Sequence, residues 1–143
     1  MMNTDVTKLL AIFNKKAGKY RDELFRPFML KSVHYSYLRT VYHQPGLSQD
    51  GIASVVYSDK GNVARQLQYL SKLGYIEIKK DLNDARKHGV YMTETGNKVF
   101  ELMMKLENEY GKFITEGISE PELAVFGKVL SSMIENISKK EEI

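Results

Sequence analysis

The chain has 143 residues, of which 43% are hydrophobic, 27% are charged and none is cysteine. That length supports one domain, or one small domain with an oligomerisation element, and the absence of cysteine excludes a disulfide framework, a thiolate zinc site and a thiol redox switch. The net charge of +3 is uneven: residues 58–88 carry seven Lys/Arg against four Asp/Glu, and residues 89–143 carry six against ten. The middle section therefore suits a phosphate backbone and the acidic C-terminal section does not. No apolar run approaches bilayer length, and Met1-Met-Asn-Thr-Asp-Val6 lacks the basic start and apolar stretch of a signal peptide, so a cytoplasmic location is expected.

Val6, Leu9, Leu10, Ile12 and Phe13 cluster at helical spacing and predict a first helix over about Asp5–Tyr20. A looser stretch, Arg21–Phe28, follows, then a second helix over about Met29–His43 that Gln44-Pro-Gly46 stops. Ser48 is a natural N-cap for a short third helix, and Ser58 for a fourth, with Asp59 in its first turn. Val63, Leu67 and Leu70 share one side of that fourth helix; Ser58, Gly61, Arg65, Gln68 and Lys72 lie opposite. Gly74 stands where a left-handed residue would end it. Tyr75–Lys79 and His88–Met92 read as two short strands around the turn Lys80–Lys87. Thr93 can cap a long helix, Glu94 to about Glu116, striped by Val99, Leu102, Met103, Leu106, Tyr110 and Phe113. Ser119-Glu-Pro-Glu122 is a capping box opening a last helix striped by Leu123, Phe126, Leu130, Met133, Ile134 and Ile137.

The pattern is mainly α with a small β-hairpin wing: a winged helix-turn-helix head flanked by terminal helices. Helices of this kind read bases in the major groove, and a basic hairpin beside them reaches backbone or minor groove. The terminal helices each have an apolar stripe left to bury, which a second copy of the chain would cover most simply, so a homodimer is expected. The expected organisation is one compact chain with an N-terminal dimerisation helix in 1–28, the DNA-binding region in 29–93 and C-terminal dimerisation helices in 94–143.

Several segments together resemble the MarR family of bacterial transcriptional regulators, over nearly the whole chain. They are Pro45-Gly-Leu-Ser-Gln49, Asp59-Lys-Gly-Asn-Val-Ala-Arg65, Leu70-Ser-Lys-Leu-Gly-Tyr-Ile76, Asp81-Leu-Asn-Asp-Ala-Arg-Lys87 and Met92-Thr-Glu-Thr-Gly96. The resemblance implies that the fourth helix lies in the major groove, with Ser58, Lys60, Gly61, Asn62, Arg65, Gln66 and Gln68 on or near the DNA. Arg65 would suit guanine O6 and N7, and Asn62 an adenine. On the wing, Arg86 would enter a narrow minor groove, Asp84 would hold it, and Lys79, Lys80 and Lys87 would meet phosphates. The helix start at Ser48 and Gln49 offers backbone N–H groups to a further phosphate.

Members of the family commonly respond to small aromatic or phenolic acids. By that resemblance Tyr20, Arg21, His34 and Tyr37 are candidate pocket residues, with Arg39 a second possible carboxylate partner. His34, His43 and His88 show no metal-ligand spacing, and no phosphate loop, nucleophile elbow or HExxH motif is present. No cofactor, metal, membrane partner or enzymatic activity is therefore expected. The expected function is a homodimeric repressor of pseudo-palindromic double-stranded DNA operators, released by an effector. The alternative is a winged-helix protein-interaction module without DNA binding.

Overall fold

Val63, Leu67 and Leu70, one helical face of the fourth helix, are fully withdrawn from solvent and organise the fold. The computed structural model describes residues 3–84 and 86–141; Met1, Met2, Ala85 (within the predicted 80–87 turn), Glu142 and Ile143 lie outside the described residues. The order is α1 (Asn3–Phe25), a 3-10 turn (Arg26–Phe28), α2 (Ser32–His43), α3 (Gln49–Val56), α4 (Lys60–Lys72), β1 (Ile76–Lys80), β2 (His88–Met92), α5 (Glu94–Ile114) and α6 (Glu120–Glu141). The chain forms two compact units, one up to Leu106 and one from Glu107.

In the first unit the α4 face meets Phe25, Leu30, Tyr37, Leu38, Val41, Ile52, Ile76, Val90, Phe100 and Met103 in one core. Each large apolar side chain taken fully out of water contributes about 1.5–3 kcal/mol. Phe100 and Met103 sit on the part of α5 that the sequence assigns to dimerisation, yet they belong to this core. Gly96 makes that possible: a Cβ there would stand 1.9 Å from the Tyr75 carbonyl oxygen, so the first turn of α5 crosses the chain leaving α4 at backbone distance.

β1 and β2 pair antiparallel with Ile76 opposite Met92 and Ile78 opposite Val90. The sheet extends one step further. The Gly46 N–H donates to the Val90 carbonyl at 2.8 Å, and the Val90 N–H donates to the Leu47 carbonyl at 3.0 Å. The turn before α3 is thus bonded directly to the inner edge of the wing.

Four boundaries differ from the sequence reading, each for a physical reason. α1 continues past Tyr20 to Phe25, because Pro27 is tolerated in the first turn of the following 3-10 segment and Phe25 is drawn into the core. α2 begins at Ser32 rather than Met29, since Met29 takes a left-handed conformation (φ 63°) and Leu30 turns inward. Two side chains then satisfy orphan N–H groups at the α2 start: Asp22 Oδ1 accepts from Ser32 at 2.8 Å and His34 Nδ1 accepts from Lys31 at 2.9 Å. At α4 the cap is Asp59 rather than Ser58; Asp59 Oδ1 accepts from the Asn62 N–H at 2.8 Å. β1 is shifted one residue, to Ile76–Lys80, because Tyr75 instead sends its hydroxyl to the Phe28 carbonyl at 2.8 Å. Gly74 is left-handed (φ 79°), as its position implies.

In the second unit the capping box at Ser119 forms as expected: Ser119 Oγ accepts from the Glu122 N–H at 3.3 Å, and the Glu122 carboxylate accepts from the Ser119 N–H at 3.3 Å. Among the described residues α6 buries none of its side chains. Val125, Phe126, Val129, Ile134 and Ile137 are all exposed, as are Leu9, Ile12 and Phe13 of α1 in the first unit.

Candidate nucleic-acid interface

The polar face of α4 is built outward from its cap. Asp59 is committed to the Asn62 backbone, and Ser58 Oγ, free of capping duty, accepts from Asn62 Nδ2 at 2.8 Å. Gly61 leaves room beside them: a Cβ there would lie 3.7 Å from Arg65 Nη1, so the Arg65 side chain folds back over the first turn. Arg65 is exposed. Lys60 reaches Asp50 of α3 at 3.4 Å, with both side chains largely in solvent, a pairing worth little in water. Gln68 lines a shallow cleft of about 330 Å³ with Gln49, Ala64, Ser71, Lys72 and Ile78. That cleft brings together the α3 start and the α4 polar face, two stretches that the sequence reading treated separately. Ser48 Oγ caps α3 by accepting from Gly51 at 3.1 Å.

Gln66 points elsewhere. Its Oε1 lies 2.9 Å from His34 Nε2, and its Nε2 donates to Asn62 Oδ1 at 3.4 Å, so the side chain bridges α2 and α4 and is half-buried.

The wing holds its arginine by local geometry. Asp84 Oδ1 accepts from both the backbone N–H and Nε of Arg86, at 3.0 and 3.1 Å, and Asp84 Oδ2 accepts from Nη2 at 3.4 Å. Those side-chain and backbone bonds from Arg86 hold the Asp84 carboxyl below its ordinary value. The turn closes through Lys87 N–H to the Asp84 carbonyl at 3.0 Å and Asp81 N–H to the Lys87 carbonyl at 2.9 Å. The Arg86 side chain is nevertheless 91% exposed: oriented at its base and open at its end. Lys79 is drawn to Glu77 at 3.1 Å and over the Tyr91 ring, whereas Lys80 and Lys87 are exposed.

Two exposed residues escaped the sequence reading. Tyr57, in the turn between α3 and α4, is 92% exposed and left-handed (φ 55°), a conformation that costs a non-glycine residue about 1–2 kcal/mol. Leu82 is fully exposed at the wing tip. An aromatic residue just ahead of a Ser-Asp cap was the available signal for the first; the second carried none.

The four candidate effector residues do not share one cavity. His34 lines an open groove of about 730 Å³ with Asp22, Arg26, Lys31, Gln66 and Tyr69 among others. Tyr20 lines a different one of about 510 Å³, with Lys16, Lys19, Glu23 and Leu24. Arg21 lies over the Phe25 and Tyr35 rings at 5.9 and 5.8 Å. Tyr37 is a core residue, 1% exposed, and its hydroxyl has no hydrogen-bond partner among the described residues. It faces the packed side of α2, which helical spacing alone does not distinguish from a cavity wall. Arg39 is exposed. Among the described residues no helix is long and apolar enough to cross a membrane.

Comparison with known proteins agrees with this architecture. The MarR family model matches residues 30–88. A curated relative in Bacillus subtilis, the uncharacterized HTH-type transcriptional regulator YybA, is 25% identical over 96% of this chain and 92% of its own. A MarR protein from Peptoclostridium difficile superposes with a TM-score of 0.88 at 20% identity, covering 98% of this chain and 92% of that one. The S. aureus MepR-DNA complex gives 0.83 at 20% identity, covering 92% and 95%. The match over 30–88 makes the helix-turn-helix and wing a MarR-type DNA-binding head, and the rest of the chain shares the fold of solved MarR-family regulators.

Proposed function

We propose that the protein is a homodimeric repressor that binds a pseudo-palindromic DNA operator through α4 and the wing. The observation that carries this reading is the pairing of two exposed guanidinium groups on one head, Arg65 on the polar face of α4 and the Asp84-oriented Arg86 on the wing. One suits a guanine edge and the other a narrow minor groove. The fold is shared with MepR, whose structure is of a DNA complex. Lys80 and Lys87, with the backbone at Ser48 and Gln49, supply phosphate contacts. Dimerisation buries the apolar faces left open on α1 and α6 and sets two recognition helices about one helical turn of DNA apart. The effector is an aromatic acid seated in the groove at His34, where Lys31 meets its carboxylate, Arg26 being paired with Glu23, and the His34–Tyr69 stack (5.0 Å between centroids) meets its ring. It relieves repression only by favouring a head spacing unsuited to the operator.

Selection of sites from a random duplex library by the purified protein tests this. An enriched inverted repeat is the expected result. A folded, dimeric protein that enriches no sequence, with and without added aromatic acids, would overturn it.

A further inference from the structure

A single file of hydrogen bonds runs from the start of α2 to the polar face of α4, and its direction is fixed at one end. The Lys31 backbone N–H can only donate, so His34 Nδ1, which accepts it at 2.9 Å, carries no proton. The neutral imidazole must then carry its hydrogen on Nε2, and Nε2 donates to Gln66 Oε1 at 2.9 Å. With its oxygen turned to His34, Gln66 presents its NH2 to Asn62 Oδ1 at 3.4 Å. Asn62 in turn presents its NH2 to Ser58 Oγ at 2.8 Å. A primary amide is nearly symmetric in shape and has two orientations that differ only in which end donates. Here a backbone group 31 residues upstream of Asn62 chooses between them.

The surroundings of His34 hold this arrangement. The residue is 6% exposed, and its ring stacks on Tyr69 of α4, whose hydroxyl is tied to the Met29 carbonyl at 2.5 Å. Asp22 of α1 and Lys31 are the charged groups that act on it, in opposite senses. Asp22 is itself engaged by the Ser32 N–H.

We propose that His34 is a positioning residue for base recognition: acting through Gln66, it fixes which end of the Asn62 amide donates and which accepts, and so the base pair that Asn62 prefers. This rests on the DNA-binding reading above. Asn62 keeps one N–H and one oxygen lone pair free after its two internal bonds, the complement of adenine N6 and N7. Reversing the amide exchanges the two and spoils that match.

Two substitutions separate the relay from the cap. His34→Gln keeps an acceptor for Lys31 and a donor for Gln66, on two atoms joined through one carbon as in the imidazole. His34→Glu keeps the acceptor at the third helical position, where glutamate caps well, but offers Gln66 no hydrogen. Gln66 must then turn its NH2 to the carboxylate, and Asn62 reverses after it. The test is site selection with the full-length protein and these variants, each checked for helix content. Wild type and His34→Gln should select the same operator. His34→Glu should lose discrimination at one position per half-site, on the order of tenfold, as expected for one two-bond base contact. In an Asn62→Ala background it should cause no further loss there.

If wild type selects an operator and His34→Glu selects it unchanged, the inference falls and the DNA-binding reading stands. If wild type selects nothing, both fall. Should His34→Glu fail to fold, nitrogen NMR of the wild-type imidazole decides: a hydrogen on Nε2 is required, and one on Nδ1 overturns the relay.

Discussion

The head and the C-terminal unit solve the problem of apolar surface in opposite ways. In the head, α4 buries Val63, Leu67 and Leu70 completely within its own chain. In the second unit α6 has a longer stripe, from Leu123 to Ile137, and buries nothing among the described residues. A helix with one apolar side needs a second surface to cover it, and an exposed stripe of this size is unusual for a monomer. The contrast separates what the chain covers itself from what it leaves open, and it gives the two regions different mutational signatures.

The largest effect is expected where the contrast is sharpest. Ile134→Asp should leave helix content intact but weaken association by about 3–6 kcal/mol, because twofold symmetry removes the side chain twice; sedimentation at several concentrations measures this. Unchanged association would move the interface off this face of α6. Leu67→Ala should cost the head about 2–5 kcal/mol in denaturant unfolding, with no change in how stability varies with protein concentration. If that dependence changed as well, the head would not be self-sufficient. Arg65→Ala belongs to neither class: it should leave stability alone, weaken operator binding by about 1–3 kcal/mol and relax one base position. Loss of affinity for all sequences alike would instead make Arg65 a phosphate contact. A smaller effect, of opposite sign, is expected inside the core. Tyr37→Phe removes a buried hydroxyl that has no partner among the described residues and should raise stability by up to about 1 kcal/mol.

The smallest effect is one of pH. Burial lowers the His34 pKa below its ordinary 6.5, opposed by the bond to Gln66. As pH falls past about 6.5 the unfolded chain takes up this proton before the folded one does. The contribution of His34 to stability is therefore complete above that pH and is lost as pH drops through the folded value. Unfolding curves on either side should show the decline in wild type and a shallower one in His34→Gln. Equal slopes would mean that the imidazole is not withheld from protonation.

Much of this was legible in the sequence. The α4 stripe, the Gly74 stop, the capping box at Ser119 and the Asp84–Arg86 pairing depend on residues within one or two turns of each other, and local spacing encodes them. Three features were not. Met29 adopts a left-handed turn that nothing in an unbranched apolar side chain announces, so the start of α2 was placed too early. Ser58 and Asp59 are adjacent residues of equal capping chemistry, and only geometry assigns one to the backbone and the other to Asn62. The His34–Gln66 bond joins residues 32 apart in sequence; each was singled out, one for an effector and one for DNA, and their meeting is a product of packing.

The bonds between Gly46, Leu47 and Val90 give the head a fixed gauge. They fasten the root of the wing to the residues that lead into Ser48, so the start of α3 and the base of the hairpin work like the jaws of a caliper locked at one setting. On the proposed DNA-binding reading, duplexes of different groove width would be sorted mechanically, by whether both jaws can seat at once. Flexibility confined to the wing beyond His88 could adjust Arg86, but it could not reset the span at the root.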